Sequence, residues 1–327
     1  MTTLRWGLLS TARINRALIP PLRASPRNRV TTVASRDPAK AEAYAREWSL
    51  PRALSSYEAL VADPEIDVIY NPLPNHLHAE WTIKAAQAGK HVLCEKPLAI
   101  TLAEVDAMEA AAKANRVVVM EAFMYRHHPQ TLKVKELVAS GAIGQVQLIR
   151  GSFSFMLTRD DDVRLVKEWG GGSIWDVGCY PISYARLIAG AEPVDVFGQQ
   201  VAGRGGVDET FVGQLRFPGD VYAQFDCAFR SPLRSHIELV GSEGMISVPT
   251  PFKPGLNEQI VLTRGEEVEA ITIPREELYL GEVENMADAI LNGQPTRMSL
   301  ADSRGNLRTI LALLQSAREA KPVRING

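Results

Sequence analysis

Over its first 122 residues the chain alternates short apolar runs with amphipathic stretches, and that alternation restricts the fold more than any other feature. The runs Leu4 to Leu9, Val30 to Ala34, Val68 to Tyr70, His91 to Cys94 and Val117 to Met120 read as buried strands. Between them, Pro38 to Trp48, Tyr57 to Val61, His76 to Ala88 and Leu102 to Ala114 carry helical periodicity. Strict alternation of this kind predicts right-handed crossovers and a parallel sheet covered on both faces. Helix boundaries are marked locally. Asn75 is placed to N-cap one helix, Gly89 to end it, and Thr101 with Glu104 to form a capping box.

Past residue 122 the rhythm changes. A helix is predicted over His127 to Ala139 and a long strand over Val146 to Phe155, and the glycine run Gly170 to Gly172 precedes a further helix. From Val194 to Ile273 strand follows strand, with turns at Gly205-Gly206, Pro218-Gly219-Asp220 and Gly241 to Gly244. Two helices, Leu280 to Asn292 and Leu300 to Ala320, close the chain. The expected architecture is α/β: a doubly covered parallel-sheet domain over residues 1–122, then an α/β domain over 123–327 with an open, mostly antiparallel sheet. The second domain is expected to serve substrate binding and oligomerisation.

Composition narrows the function classes. With 46% hydrophobic and 23% charged residues in 327, the chain is neither disordered nor fibrous. Lys plus Arg is 36 and Asp plus Glu is 38, which leaves no basic stripe for nucleic acid and no polybasic anchor for anionic membrane. No apolar run is long enough to span a bilayer, and the N-terminus enters a strand without a signal-peptide apolar region. Cys94, Cys179 and Cys227 are odd in number and widely spaced, which argues against a disulfide framework or a cysteine zinc site. The expectation is a cytoplasmic protein.

The first strand runs into Gly7-Leu8-Leu9-Ser10-Thr11-Ala12-Arg13-Ile14, where a dinucleotide-binding fold carries its glycine fingerprint. Gly7 fills the first glycine slot, while Leu9 and Ala12 stand in the second and third. Leu9 is expected to hinder close approach of a pyrophosphate. Ser10 and Thr11 offer hydroxyl donors, and the following helix start offers N–H groups. An ordinary strand-to-helix turn capped by Ser10 or Thr11 is the alternative. At the end of the second strand, where NAD sites place a carboxylate, Ser35 and Arg36 come first, with Lys40 four residues on. A hydroxyl and a guanidinium suit a 2′-phosphate, so NADP(H) is the expected cofactor and NAD(H) the alternative. Asp37, before Pro38, reads as a helix cap.

Further along stand Pro74-Asn75-His76-Leu77-His78, then Gly89-Lys90-His91-Val92 and Cys94-Glu95-Lys96-Pro97. Together these motifs resemble the Gfo/Idh/MocA family of NAD(P)-dependent sugar oxidoreductases. The Gly-Leu-Leu-Ser-Thr-Ala loop and Glu121-Ala122-Phe123-Met124 are similar to the branch of D-xylose dehydrogenases, dimeric dihydrodiol dehydrogenases and glucose-fructose oxidoreductase. The resemblance is strongest over residues 1–180 and implies a Rossmann domain, a nicotinamide cofactor and a homo-oligomer, a dimer or tetramer. It sets Gly7, Ser10, Thr11, Ala12, Arg13, Ile14, Ser35, Arg36, Lys40, Pro72, Leu73, Asn75, His78, Glu95, Lys96, Pro97 and Trp169 around the cofactor, with His78 serving structure more than contact. Pro97 is a candidate for a cis peptide bond.

Lys96 lies just past a parallel strand's C-terminal end, where open α/β sheets bind ligands, and can stabilise negative charge on a substrate oxygen. Glu95 either orients it or merely caps the strand. In the second half, Trp169-Gly170-Gly171-Gly172-Ser173-Ile174-Trp175-Asp176-Val177-Gly178-Cys179-Tyr180 puts Asp176 and Tyr180 four residues apart, on one face of a helix. The resemblance makes Lys96, Tyr180 and Asp176 catalytic: a tyrosine exchanges a proton with a sugar hydroxyl while the aspartate binds a neighbouring one. The alternative is a capping box between Ser173 and Asp176, and Pro181 opposes a helix through Tyr180. Trp169 either packs beside the nicotinamide or belongs to the core, and the glycines after it would let the loop adapt. His76 and His78 form a His-x-His pair with no third ligand near, so no metal is expected. Tyr125 and Arg126 are candidate cleft residues. The expected reaction is hydride transfer between the nicotinamide and a sugar or diol, first of all oxidation of an aldose at C1. Reduction of a keto-sugar or dicarbonyl, or oxidation of a trans-dihydrodiol, is the same-class alternative, and a non-catalytic dinucleotide-binding regulator the alternative from another class.

Overall fold

A computed structural model describes residues 3–325, which divide into two compact units. The first is the chain up to His128 together with Glu277–Ser303; the second is Pro129–Glu276 together with the chain from Arg304 onward. The units thus differ from a single cut after residue 122, because the segment Glu277–Ser303 packs with the N-terminal one.

The first unit holds six strands: β1 (Leu4–Leu9), β2 (Asn28–Ala34), β3 (Arg52–Leu54), β4 (Val68–Asn71), β5 (His91–Glu95) and β6 (Val119–Ala122). They form one parallel sheet in the order β3-β2-β1-β4-β5-β6. The strand order reverses between β1 and β4, which defines the ligand-binding end of a doubly wound sheet. Helices α1 (Asn15–Ala24), α2 (Pro38–Glu47), α3 (Tyr57–Ala62), α4 (His78–Gln87) and α5 (Leu102–Asn115) connect them. The capping box at Thr101 and Glu104 is formed, and Gly89, at φ +75°, follows the end of α4. The N-cap of α4 is Leu77 without a side-chain cap, because Asn75 instead opens a short 3₁₀ turn, Asn75–Leu77. Residues such as Leu8, Val33, Ile69 and Leu93 are inaccessible to solvent and form the core of this sheet.

The second unit opens with α6 (Pro129–Ala139) and β7 (Val146–Met156). A single π-helical turn, Ile174–Gly178, leads into α7 (Cys179–Ala189). Then come β8 (Asp195–Ala202), β9 (Asp208–Arg216), β10 (Tyr222–Ala228), β11 (Arg230–Gly241), β12 (Met245–Val248), β13 (Gln259–Arg264) and β14 (Glu267–Thr272). Helix α8 (Leu280–Asn292) belongs to the first unit, α9 (Leu300–Glu319) begins there and continues in the second, and β15 (Val323–Arg324) ends the described chain. The nine-stranded sheet has the order β14-β13-β12-β11-β7-β10-β9-β8-β15. All neighbours are antiparallel except β7 and β10. Among the described residues no helix is long and apolar enough to cross a membrane.

Candidate active site

Within the first unit, the C-terminal end of β1 is a turn built on backbone donors. Ser10 sits at φ +86°, its N–H donates to the Ala34 carbonyl (2.9 Å), and its own carbonyl accepts from Asn15 Nδ2 (2.9 Å). Helix α1 then starts at Asn15 with Ile14 as an N-cap that makes no side-chain cap bond. Neither Ser10 nor Thr11 caps the helix. Among the described residues the backbone N–H groups of Thr11, Ala12, Arg13 and Ile14 donate to no protein acceptor. Four such donors at a helix N-terminus are the donor set that a dinucleotide pyrophosphate requires, so this turn fits the cofactor.

Two residues of the fingerprint act differently from expectation. Gly7 lies inside β1, and a Cβ there would come within 2.7 Å of Leu60 Cδ1 and 3.3 Å of Ile66 Cγ2. Its lack of a side chain lets α3 press on the sheet, a packing role. Leu9 is fully buried, so its side chain packs into the protein and does not project over the turn.

At the end of β2, Asp37 caps α2 by accepting from the Lys40 N–H (3.2 Å), and its other oxygen lies 3.7 Å from Lys40 Nζ. The Ser35 hydroxyl oxygen accepts from the Asp37 N–H (3.1 Å) and is largely buried. Arg36 is exposed, with its guanidinium 5.9 Å from the Tyr57 ring centre. The carboxylate here is therefore engaged in capping, while two cations face solvent.

The ends of β4 and β5 are joined by His78. It is fully buried, and its ring nitrogens face the carbonyl oxygens of Pro97 (2.8 Å) and Leu73 (2.6 Å). His78 is a structural tie between these two loops and is not accessible to a cofactor, which corrects its place in the expected binding set. Leu73 is likewise buried, while Pro72, Asn75, Glu95 and Lys96 are partly accessible. The Lys96–Pro97 bond is cis. Glu95 accepts from the Tyr70 hydroxyl and, through its second oxygen, from the backbone N–H of Lys96 (3.3 Å). Glu121 Oε1 accepts from the Leu98 N–H (2.9 Å), anchoring the chain just past Pro97. Lys96 is thus set on a loop tied down from three sides. Tyr125 is fully buried and Arg126 is paired with Asp302 (2.6 Å), so both are committed to the interior.

One acid in this region has no signal in the sequence. Glu282, in the first turn of α8, is fully buried, and neither carboxyl oxygen has a hydrogen-bond partner among the described residues. Burial, reinforced by the charge of Glu95, holds it well above the usual carboxyl range. Its residue type matches the ordinary acidic first turn of a helix, so it was tertiary packing that revealed it.

Within the second unit, Asp176 lies in the π turn and Tyr180 one turn later in α7. Pro181 falls in the first turn of α7 directly after the π turn Ile174–Gly178, and the helical run passes through Tyr180 despite it. Gly178 and Gly151 make room for this close passage. A Cβ on Gly178 would meet Cys227 Sγ at 2.8 Å, and one on Gly151 would meet Pro181 Cβ at 2.8 Å. The Tyr180 ring packs edge-on against Phe153 (5.3 Å between centres) and beside Phe252 (5.4 Å).

The capping-box alternative does not form. The Ser173 hydroxyl donates to Asp208 Oδ2 (2.6 Å), which also accepts from the Ile174 N–H (2.8 Å). Asp176 instead accepts from Arg164 Nε at 2.7 Å. Trp169 is 38% exposed at the end of a 3₁₀ turn and is not a core residue. The glycines after it close the loop instead of loosening it: Gly170 and Gly172 have φ of +74° and +126°, and a Cβ on Gly171 would lie 2.6 Å from the Arg164 carbonyl oxygen.

Residues 4–123 match the family described as "Oxidoreductase family, NAD-binding Rossmann fold", and residues 131–247 match the GFO/IDH/MocA C-terminal domain. The chain belongs to the Gfo/Idh/MocA oxidoreductase family. It is 37% identical over 326 residues to a D-xylose 1-dehydrogenase (NADP(+)) of Haloferax volcanii, covering 98% of this chain and 99% of the relative. It is 37% identical over 249 residues to a trans-1,2-dihydrobenzene-1,2-diol dehydrogenase of Danio rerio, covering 75% of this chain and 74% of that one. Among solved structures, an aldose-aldose oxidoreductase from Caulobacter crescentus complexed with glycerol superposes with a TM-score of 0.93 at 26% identity, covering 99% of this chain and 100% of that one. The family thus brings an NAD-binding Rossmann fold and oxidoreductase chemistry.

Proposed function

We propose that the protein is an NADP-preferring dehydrogenase that oxidises an aldose at C1, with D-xylose as the leading candidate. The observation that carries the reading is the place of Lys96, immediately past the C-terminal end of β5 in a parallel sheet that binds ligands at that end. The full-length similarity to the xylose enzyme supports the choice of aldose. A bound nicotinamide would supply the hydride acceptor. Lys96 donates to the reacting oxygen, Tyr180 exchanges its proton, and Asp176 accepts from a neighbouring hydroxyl. Exposed Arg36 and Lys40 at the end of β2, beside an Asp37 already engaged in capping, favour a 2′-phosphate. Oxidation of a trans-diol is a second reading, favoured by the similarity to the dihydrodiol enzyme. The exposed face of the nine-stranded sheet carries Val201, Val212 and Tyr222, which supports a homo-oligomer. The three buried cysteines, which form no disulfide, support a reducing cytoplasm.

The test is a turnover screen with NADP+ and NAD+ separately against aldoses, polyols and trans-diols, followed at the reduced-nicotinamide absorbance band. The expected result is aldose turnover with an NADP+ preference of about ten- to hundredfold, the worth of a charge-assisted contact. Lys96→Met should keep NADP+ binding and lose about 10²-fold or more in turnover. Dinucleotide binding with no turnover of any panel member would instead indicate a regulatory protein, and parent-like turnover by Lys96→Met would remove the lysine from the chemistry.

A further inference from the structure

We propose that Arg164 is a positioning residue of this enzyme: it holds the Asp176 carboxylate and the Trp169 loop in one arrangement, so that Asp176 meets the substrate already oriented. The inference deepens the proposed function and rests on its assignment of Asp176 to substrate binding.

The side chain of Arg164 stands between two carboxylates. Its Nε donates to Asp176 Oδ2 at 2.7 Å and its Nη1 to Asp162 Oδ1 at 3.1 Å. Asp162 Oδ1 also accepts from the Arg164 backbone N–H (3.0 Å), and Asp162 Oδ2 from Arg159 Nη2 (2.7 Å). Charge alternates along four side chains, from an exposed Arg159 to an Asp176 side chain that is 16% accessible. A guanidinium is planar and permanently charged, so fixing it on Asp162 fixes the direction from which it donates to Asp176. Arg164 engages the carboxylate through Oδ2 and so fixes the plane in which it lies.

The backbone of the same residue closes the loop. The Arg164 carbonyl accepts from the Gly172 N–H (2.9 Å), and the Val166 carbonyl accepts from the Gly171 N–H (3.0 Å). Trp169, at the turn between these bonds, is held at the surface by a loop whose base is Arg164. A lost Arg164 side chain therefore removes both the bond to Asp176 and the anchor to Asp162, while the backbone bonds that close the Trp169 loop remain and the phosphate and Lys96 loops, in the other unit, keep their contacts.

The experiment is a double-mutant cycle in the full-length protein, using the panel member with the highest turnover. Arg164→Gln should raise KM by about ten- to hundredfold, the range for a charge-assisted hydrogen bond, with a smaller fall in kcat and an unchanged Kd for NADP+. Arg164→Lys should recover part of the loss, because it restores charge without the fixed Nε direction. In an Asp176→Asn background, Arg164→Gln should add less than about twofold, since coupled groups are not additive. If Arg164→Gln fails to fold, Asp162→Asn takes its place in the cycle and should raise KM in the same direction, again only when Asp176 is present. A parent-like KM for the Arg164 variants, or KM effects that multiply in the double variant, overturns the inference while leaving the proposed function intact. Parent-like kinetics in Asp176→Asn, or a panel with no turnover, overturns the assignment of Asp176 and the inference with it.

Discussion

Asp208 is the clearest case of one side chain setting local geometry against its own solvation. It is 4% exposed and pins the start of the π turn through Ser173 and Ile174. Burial raises its pKa from 3.8 to about 6, outweighing the hydrogen bonds that favour its charge. The folded state therefore holds this proton up to a higher pH than the unfolded chain. The stability linked to Asp208 is fully present below about pH 4 and is lost as pH rises through about 6. Asp208→Asn removes the titration while keeping an acceptor for the Ile174 N–H. Relative to the parent, its free energy of unfolding should become larger, in favour of the folded variant, from pH 4 to 7 by up to roughly 3 kcal/mol, from about two pK units at about 1.36 kcal/mol each. Denaturant titrations of both proteins across that window check this, and a difference that stays flat with pH refutes it.

In the strands of the second unit, small residues decide how closely elements approach. Gly198 in β8 has no side chain where a Cβ would lie 2.7 Å from Phe211 Cζ and 2.8 Å from the carbonyl oxygen of Leu313 in α9. The Phe211 and Phe225 rings stack at 6.1 Å over the same region. The carbonyl is backbone and cannot swing away, so Gly198→Ala should overpack this layer and cost about 1–3 kcal/mol. Gln199→Ala, on the exposed face one residue later, should stay within about 0.5 kcal/mol. Equal melting temperatures for the two variants would contradict this account. The first unit contains the complementary lesson about caps. Arg116 closes α5 at φ +55° and the Val117 N–H returns to the Ala112 carbonyl, so the cap consumes Val117 and β6 starts only at Val119.

Across the whole chain, the backbone passes between the two compact units three times, at residues 128/129, 276/277 and 303/304. The segment that returns to the first unit is fastened by charge as well as by packing. Arg27, just before β2, donates through Nε to Glu284 Oε2 (2.8 Å) and through Nη1 to Asp288 Oδ1 (2.5 Å), both on α8. Its side chain is 23% exposed and those of its partners 30% and 40%, so solvent screens the pairs and their joint worth is about 1 kcal/mol. Arg27→Met should speed amide hydrogen exchange in the peptide spanning Leu280–Asn292 by about fivefold, the equivalent of that energy. The effect should shrink in high salt. Unaltered exchange in α8 would show that apolar packing alone holds the segment.

Local pattern was enough for the kinds and order of elements in the Rossmann half, because hydrophobic period, helix caps and chain reversals act over a few residues. The Thr101–Glu104 box, the Asp37 cap and the position of Lys96 at a strand end were all readable for that reason. The short strands escaped it: Arg52–Leu54 is partly exposed and Val323–Arg324 is two residues long, so neither carries an apolar pattern and each exists through its neighbour, β2 or β8. Tertiary structure alone decided what the site residues touch. It made Gly7 a seat for Leu60, and it committed both nitrogens of His78 to carbonyls. It also gave Ser173 to Asp208, 35 residues away, and Asp176 to Arg164, across a loop of 12. Side-chain pairing at such separations depends on sheet register and on which helix face is buried, and those are fixed only when the whole unit packs.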